Sequence, residues 1–507
     1  MRAAGRWASS MIRFCCRIVY HGVRMKRTIL LLGLALGGCA VGPDYHPPPA
    51  VAAQQAPEAF TVDGVAWKKA EPAAQLPRGK WWTLFEDGEV NRLEDWAATQ
   101  NQNLAASAAA LQQARELVVE ARSQYFPQLA AAPSATRQRT SFNAPTQGAA
   151  TGAAYSYNLY ALPATLSWEM DVFGRIRRLT EGAKARMVAA EEDLQSVTLL
   201  LQAEVAQDYF TLRALDAEMK LLADTAETYR RSLDLTQNRR KGGIATDLDV
   251  SQAQTQLRTT EAQIPALRLQ RQQLAHALAV LCGQPPMNFD LMPTQPGAAH
   301  DIVVPPSVPS ELLERRPDIA AAERRVAAAN ADVGVATAAF YPRVIVNADV
   351  GLQSVSAGTV FGWPSRFWSL GPTIDLPLFT GGFNKAQLAA AHAAYDAATA
   401  AYRETVLTAF QDVEDQLAAQ HLLQEQLTGE TAALQSARTT LEIANNRYKA
   451  GLVTYLDVVT SQSDELAIER AVVQLTGERR VAAVGLIKAL GGSWRQTNAD
   501  ASAGRFN

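Results

Sequence analysis

One short turn occurs twice in this chain, and its repetition limits the possible folds more than any other feature. Residues 238–250 read NRRKGGIATDLDV and residues 446–458 read NRYKAGLVTYLDV, with eight of thirteen positions identical at an offset of 208. Other segments recur in the same order: QYFPQL at 124–129 parallels AFYPRV at 339–344. The chain is therefore predicted to consist of two structural repeats.

Composition and turn residues complete this division of the chain. A run rich in Pro and Gly separates the two repeats, as is typical of a linker. The predicted parts after a presequence are an N-terminal segment at 39–87, the first repeat at 88–283, a Pro-rich linker at 284–310, the second repeat at 311–491 and a tail at 492–507.

Each repeat contains one very long segment with helical periodicity. Residues 175–240 and 384–448 contain no Pro, and apolar residues recur at three- and four-residue spacing, as in Leu194, Val197 and Leu201. At the rise of an α-helix, 65 residues make a rod of roughly 100 Å. Coiled coils and helical tunnels need that length, whereas ordinary globular domains do not.

Four segments between the helices alternate between apolar and polar residues. In the third, Val344, Val346 and Val350 share one face while Asn347 and Asp349 share the other. This pattern predicts strands of a transmembrane β-barrel with a wet lumen. A barrel must close, and the smallest single-chain barrels have eight strands, so we expect several copies of the chain to share it. The predicted strands are at about 128–142, 155–171, 343–355 and 366–379.

The N-terminus has the features of a lipoprotein signal peptide. Residues 1–38 hold seven Lys or Arg and no acidic residue, and a short apolar run follows Met25, which we interpret as the true start. The run ends in LGGC at 36–39, which resembles a bacterial lipobox, so Cys39 is predicted to be lipidated and to become the first mature residue. The alternative is an ordinary signal peptide in which this Cys occurs by chance. Only Cys282 remains in the mature chain, and its apolar neighbours predict a small buried side chain.

Other classes of function find no support in the sequence. The pI near 6.4 gives no sign of nucleic-acid binding. The six His are scattered without the spacing of metal ligands, and no phosphate-binding Gly loop or nucleophile elbow is present. We therefore expect no enzyme activity, no catalytic residue, no metal and no cofactor other than the covalent lipid on Cys39.

Four motifs resemble a known family over essentially the whole mature chain. They are CAVGPDY at 39–45, KWWTLFEDGEVNRL at 80–93, WEMDVFGRIRR at 168–178 and LLERRPDIAAAERRVAAANADVGVATAAFYPRV at 312–344. The chain resembles the TolC-like outer-membrane factors of tripartite, RND-type efflux pumps, and within them the lipid-anchored, NodT/OprM-like branch. The resemblance implies a homotrimer, mostly helical, with four strands per chain in a shared twelve-stranded barrel continued by a periplasmic helical tunnel.

The repeated turn is predicted to be the far end of a helical hairpin. Gly243 and Gly451 each end a descending helix, where a left-handed residue is favoured. Thr246 and Thr454 can cap the returning helix by accepting a backbone hydrogen bond. Much of the repetition is explained by geometry alone, because a good turn can be reused.

Geometry explains the repeated carboxylates of Asp249 and Asp457 less well. In a trimer, such carboxylates at a tunnel mouth would favour cations, although an exposed surface carboxylate remains the alternative. The resemblance implies a periplasmic gate built from Asp249, Tyr448, Leu456 and Asp457. Val453 and Thr460 stand where a charged Arg and a second Asp can occur in the family, so a more apolar gate is expected here.

The resemblance also implies a function and its partners. The chain would be a passive exit duct for small molecules, opened at its periplasmic tip by a membrane-fusion adaptor and an RND-type transporter of the inner membrane. The outer-membrane lipid would surround it, and no nucleic acid would bind. Two alternatives stay open: an exit duct for type I protein secretion, and a structural lipoprotein whose helices form a coiled coil without a channel.

Overall fold

The structure is a computed structural model that describes residues 40–48, 59–60, 65–66, 79–141, 154–293 and 315–492. Its helices are α1 Gly88–Gln100, α2 Gln102–Ser123, α3 Arg175–Lys241, α4 Asp247–Leu281, α5 Pro317–Ala338, α6 Phe383–Lys449 and α7 Tyr455–Ala489. Its strands are β1 Ala59–Phe60, β2 Val65–Ala66, β3 Gln128–Ala131, β4 Ser134–Arg139, β5 Ser156–Met170, β6 Arg343–Ser354 and β7 Arg366–Asp375. The predicted presequence, the lipidation site Cys39 and most of the predicted linker and tail lie outside the described residues.

The helices repeat in length as well as in order. Helices α3 and α6 each have 67 residues, and α4 and α7 each have 35. The predicted long helical segments are thus present in both halves. The first repeat also contains two shorter helices, α1 and α2, which meet at Asn101. The Asn101 side chain accepts from the N–H of Leu104 and donates to the carbonyl of Leu281, which stabilises the break. Among the described helices, none is long and apolar enough to cross a membrane.

The chain divides into two compact units. The first, called the sheet unit, comprises residues 1–47, 113–187 and 324–399, and it holds strands β3 to β7. The second, called the hairpin unit, comprises residues 48–112, 188–323 and 400–507, and it holds both copies of the repeated turn.

The sheet unit is built around one antiparallel sheet. Strand β5 lies between β6 on one side and both β3 and β4 on the other, and β7 pairs with β6. The first predicted strand is therefore two strands in one register, separated at Ala132-Pro133. Proline has no backbone N–H to donate, which explains the break. The last strand ends at Asp375, short of the predicted 379, and Pro377 follows closely.

The two faces of the sheet differ in chemistry. Directly paired residues share a face, and alternate residues along a strand return to it. One face carries Leu166, which pairs with Ala348, and Val350, which pairs with Trp368. The side chain of Trp368 is 78% exposed. The other face carries Asp349, which is paired with Thr165 on one side and with Ser369 on the other. The Ser369 hydroxyl donates to the Asp349 carboxylate. An exposed apolar face beside a polar one is the pattern that the sequence predicts.

Residues 40–48 are built into the sheet unit as an N-terminal strap. The buried guanidinium of Arg178 donates to the carbonyls of Val41 and Gly42 and to the carboxylate of Asp44. Gly42 has a φ of +96° and lies so close to Gly334 that a Cβ on Gly42 would be 2.5 Å from the Gly334 Cα. The described part of the motif, residues 40–45, is therefore held by close backbone packing.

The hairpin unit contains an unusual buried carboxyl group. Glu94 of α1 is 1% exposed, and neither of its oxygens has a hydrogen-bond partner among the described residues. Burial, and after it the charge of Asp95, raises the pKa of Glu94 to about 9. Glu94 is therefore protonated at neutral pH. Cys282 is fully buried in the same core cluster as Leu93, whose carbonyl its thiol contacts at 3.6 Å.

The repeat extends to ion pairs along the hairpins. Arg230 of α3 pairs with Glu261 of α4 at 2.8 Å, and 208 residues later Arg438 of α6 pairs with Glu469 of α7 at 2.5 Å.

Helix α5 begins at Pro317, as the motif RRPD predicts. The sequence does not reveal the role of Arg316, the residue before it. The Arg316 guanidinium pairs with Asp412 and donates to the carbonyl of Ala489, so it joins the start of α5 to two other helices.

Candidate functional site

The candidate site consists of the two copies of the turn, called the first tip (residues 238–250) and the second tip (residues 446–458). In the first tip, the N–H of Gly243 donates to the carbonyl of Arg240 and that of Ile244 to the carbonyl of Arg239, at 3.0 and 2.8 Å. Gly243 has a φ of +75° and no atom within 4 Å of a Cβ placed on it. Glycine is needed here for its backbone conformation alone.

The second tip repeats these two backbone hydrogen bonds. The N–H of Gly451 donates to the carbonyl of Tyr448 at 3.0 Å, and that of Leu452 to the carbonyl of Arg447 at 2.9 Å. Gly451 also has a φ of +75°. Each donor and acceptor lies 208 residues after its counterpart, so the sequence repetition is a repetition of backbone hydrogen bonds.

The structure gives Asp249 and Asp457 a structural role that the sequence argument did not supply. The carboxylate of Asp249 accepts from the N–H of Thr246 at 2.7 Å, and the Asp249 N–H donates to the Thr246 hydroxyl at 3.2 Å. This is a reciprocal helix cap. The carboxylate of Asp457 accepts from both the N–H and the hydroxyl of Thr454, at 3.0 and 2.7 Å. Both carboxylates thus help to begin a returning helix.

This finding corrects one expectation from the sequence. Thr246 accepts a backbone hydrogen bond as predicted, and Thr454 is the N-cap of an equivalent capping box, in which its hydroxyl also donates to Asp457. The signal for the cap was present in the sequence, since a Thr followed three residues later by an acid is typical of a capping box. The interpretation that turn geometry explains the two aspartates less well than the rest of the motif is therefore wrong, because both carboxylates take part in helix caps.

Tyr448 occupies a polar but unsatisfied position in the second tip. Its ring lies 4.8 Å from the guanidinium carbon of Arg239, and its buried hydroxyl has no hydrogen-bond partner in the described part of the chain. Burial, and after it the charge of Asp249, raises the pKa of the Tyr448 phenol. The structure therefore brings Tyr448 and Asp249 near each other, without a hydrogen bond between them.

The remaining predicted gate residues are open to solvent. Leu456 is 55% exposed, and Asp457 is also exposed, whereas Asp249 is half-buried. Sequence reasoning missed that Leu456 has a counterpart 208 residues earlier in Leu248, which is 66% exposed. No group of three or more His, Cys, Asp or Glu in the described ranges is placed to hold a metal ion.

An amphipathic sheet combined with two helical hairpins of equal length defines a class of protein, the outer-membrane efflux channels. Comparison with known proteins identifies the family. The model of the outer membrane efflux protein family matches residues 95–284 and 308–492. The chain belongs to the outer membrane efflux protein family.

Individual relatives agree with this assignment over at least 90% of the chain. The chain is 34% identical over 468 residues to outer membrane protein OprJ of Pseudomonas aeruginosa, covering 92% of this chain and 95% of that protein. It is 33% identical to the toluene efflux pump outer membrane protein TtgC of Pseudomonas putida, covering 94% and 98%. The solved structure of the outer-membrane channel OprN superposes with a TM-score of 0.79 at 32% identity, covering 90% of this chain and 100% of that chain. The fold is thus TolC-like, and the protein is an outer-membrane protein.

Proposed function

We propose that this protein is the passive exit duct of a tripartite efflux system, through which small molecules leave the cell across the outer membrane. The observation that carries the proposal is the sheet, because it has an exposed apolar face, a polar face and two open edges. Among the described strands, β7 pairs only with β6, and β3 and β4 pair only with β5. Backbone groups at such edges cannot remain unpaired in lipid.

Copies of the chain can close this sheet. Pairing of β7 with β3 and β4 of the next copy removes every edge and encloses the polar face. Counting β3 and β4 as one interrupted strand, each copy contributes four strands, and three copies give twelve. We infer a homotrimer, which matches the fold class of the relatives and the rule that homo-oligomers have closed symmetry.

The tips are the proposed periplasmic gate. Asp249, Tyr448, Leu456 and Asp457 lie in or beside the two turns, and three copies would place six carboxylates near one mouth. A ring of fixed negative charge favours cations, and the leucine narrows the path for water. The capping role of the aspartates is compatible with this function, because a carboxylate that accepts a hydrogen bond from its own turn still lies at the tip.

The partners are proposed from the surface of the tips. Four apolar side chains are exposed there at equivalent positions of the two turns, which are Ile244 (70%), Leu248 (66%), Leu452 (70%) and Leu456 (55%). Exposed apolar groups of this kind mark contact surfaces. A periplasmic adaptor that covers them would couple the duct to an inner-membrane transporter. The toluene efflux pump to which TtgC belongs supports this kind of partnership.

Recording in planar bilayers tests the proposal directly. The purified full chain should form channels that prefer cations, and native mass spectrometry in detergent should give the mass of three chains. A structural coiled-coil lipoprotein would conduct nothing. A well-behaved monomer without conductance would contradict both the duct and the trimer.

A further inference from the structure

The charges of the chain are unevenly distributed over the sheet unit. No Asp or Glu occurs in residues 134–168 or in residues 350–374. With 50 acidic residues in 507, these 60 positions would carry about six at the average density. The same stretches contain three basic residues, Arg137, Arg139 and Arg366, and no Lys. Purely positive stretches are notable in a chain whose net charge is negative.

All three arginines lie on the apolar face of the sheet. Arg366 pairs with Leu352 and is two residues before Trp368, which belongs to that face. Arg137 pairs with Asn158, two residues before Tyr160, so it returns to the same face as Leu166 on β5. Alternation along β4 places Arg139 there as well. The face that is otherwise apolar thus carries three positive charges.

These arginines also lie at one end of the sheet. Arg139 is the last residue of β4 and Arg366 is the first residue of β7. The other end of the sheet is where β5 leads into α3, and there the arginines are neutralised, since Arg175 and Arg343 both pair with Glu169 at 2.7 Å. Among the described residues, no carboxylate pairs with the three arginines at the loop end.

An aromatic side chain supports one of these arginines. The guanidinium of Arg366 lies over the ring of Trp363, with the guanidinium carbon 3.2 Å from the ring centroid. Trp363 is itself 75% exposed. Its turn is ordered, because Ser365 donates its hydroxyl to the Thr359 carbonyl at 2.7 Å. Stacking leaves the edge of a guanidinium free for a second, charged partner.

From this arrangement we infer a lipid-binding surface, the arginine rim, formed by Arg137, Arg139 and Arg366 with Trp363. Its ligand is a phosphate group on the headgroup of a membrane lipid at the loop end of the sheet. An arginine on a lipid-facing surface is tolerated near the headgroups and not at the bilayer centre. Guanidinium groups bind phosphate through two hydrogen bonds, and in the described part of the sheet unit no carboxylate pairs with these arginines and competes for them.

The inference rests on the outer-membrane location and not on conduction. A phosphorylated glycolipid is the appropriate probe, because its acyl chains cover the apolar face while its phosphates reach the arginines. Native mass spectrometry of the full chain in detergent, titrated with diphosphoryl lipid A, measures the binding. We compare the parent with the combined variant Arg137→Gln, Arg139→Gln and Arg366→Gln.

The combined variant should bind diphosphoryl lipid A at least about tenfold more weakly, because each arginine near an anionic surface contributes to attraction. A matched control removes the same charge elsewhere through Arg231→Gln, Arg258→Gln and Arg268→Gln, three exposed positions on α3 and α4. The control should bind like the parent. Inorganic phosphate at the same concentration should not displace the lipid, since it lacks the acyl chains.

Several outcomes would overturn the inference. They are unchanged binding in the combined variant, an equal loss in the control, and full displacement by inorganic phosphate. If the combined variant does not fold, the single variant Arg366→Gln replaces it. Binding is then followed by the change of Trp fluorescence on lipid addition, and a change as large as in the parent would likewise overturn the inference. Bilayer conductance is measured in parallel. A variant that conducts but no longer binds lipid A separates this inference from the proposed duct.

Discussion

Tyr448 and Tyr455 pack across the second tip with ring centroids 5.2 Å apart, at the positions that a salt bridge occupies in the first tip. Their counterparts 208 residues earlier are Arg240 and Asp247, whose charged groups are 2.7 Å apart. Tyr455 is 2% exposed, and its hydroxyl lies 3.1 Å from that of Ser232. Two turns with the same backbone hydrogen bonds are thus stabilised by different side-chain contacts, a salt bridge in the first tip and an aromatic contact in the second.

This difference predicts unequal stability of the two tips. Tyr455→Ala removes a buried ring and should destabilise the second tip by about 3 kcal/mol or more. Asp247→Asn removes an exposed ion pair, and its effect should be small and lost in high salt. Hydrogen exchange of the backbone amides in each tip measures both effects. Equal acceleration of exchange by the two variants would contradict the prediction.

Charge at the proposed gate can be separated from helix capping. Asp457→Asn keeps an oxygen that accepts from the Thr454 N–H, so the helix should begin as before, while the carboxylate charge is lost. Cation preference, read as the reversal potential across a salt gradient, should fall several-fold if this ring sets the local potential. Asp457→Glu retains the charge and serves as the control. An unchanged reversal potential would contradict the prediction and show that Asp457 acts only as a helix cap.

The buried Glu94 predicts a pH dependence of stability. Between pH 4.5, the ordinary pKa of a glutamic acid, and about pH 9, the folded chain holds a proton on Glu94 that the unfolded chain has released. The free energy of unfolding should therefore decrease as pH rises through this window, by up to about 1.4 kcal/mol per pH unit. Thermal unfolding at several pH values measures the slope. Glu94→Gln should flatten it, whereas Glu89→Gln, a change at a half-buried position on the same helix, should not.

Two helical glycines provide a matched test of the N-terminal strap. A Cβ on Gly334 would be 2.8 Å from Cγ of Arg178, whereas Gly429 has no atom within 4 Å of such a Cβ. Alanine is favoured over glycine inside helices by about 1 kcal/mol. Gly429→Ala should therefore be neutral or stabilising, and Gly334→Ala should release the strap by displacing Arg178. Faster proteolysis near residues 40–48 in Gly334→Ala alone would support this, and equal proteolysis in both would refute it.

The predicted lipid on Cys39 is tested at the level of covalent structure. Mass spectrometry of the purified N-terminal peptide should show an acylated Cys39 as the first residue, followed by Ala40. Cys39→Ser should abolish the acyl group while the protein stays in the membrane, because one lipid anchor adds modest affinity beside a spanning structure. An unmodified N-terminus at another residue would show that the lipobox interpretation is wrong.

Much of this fold could be predicted from the sequence because its determinants are local. Helical periodicity without Pro predicts α3 and α6, and alternation predicts β5, β6 and β7. Gly243 and Gly451 predict helix ends, since glycine adopts a left-handed backbone conformation with little conformational strain. These signals depend on neighbours within a few residues. Because the chain is an internal repeat, the signals for the long helices and for the turns each occur twice in the sequence.

The sequence alone therefore determined the class of fold and the places where helices turn, whereas the tertiary structure decided what holds them there. Glu94 is buried, and neither of its oxygens has a hydrogen-bond partner among the described residues. Arg178 donates to a strap more than 130 residues away, and the Tyr448 ring lies 4.8 Å from the guanidinium carbon of Arg239 on another helix. Such contacts join residues far apart in the chain. A local pattern carries no information about them, because burial and pairing are properties of the packed chain.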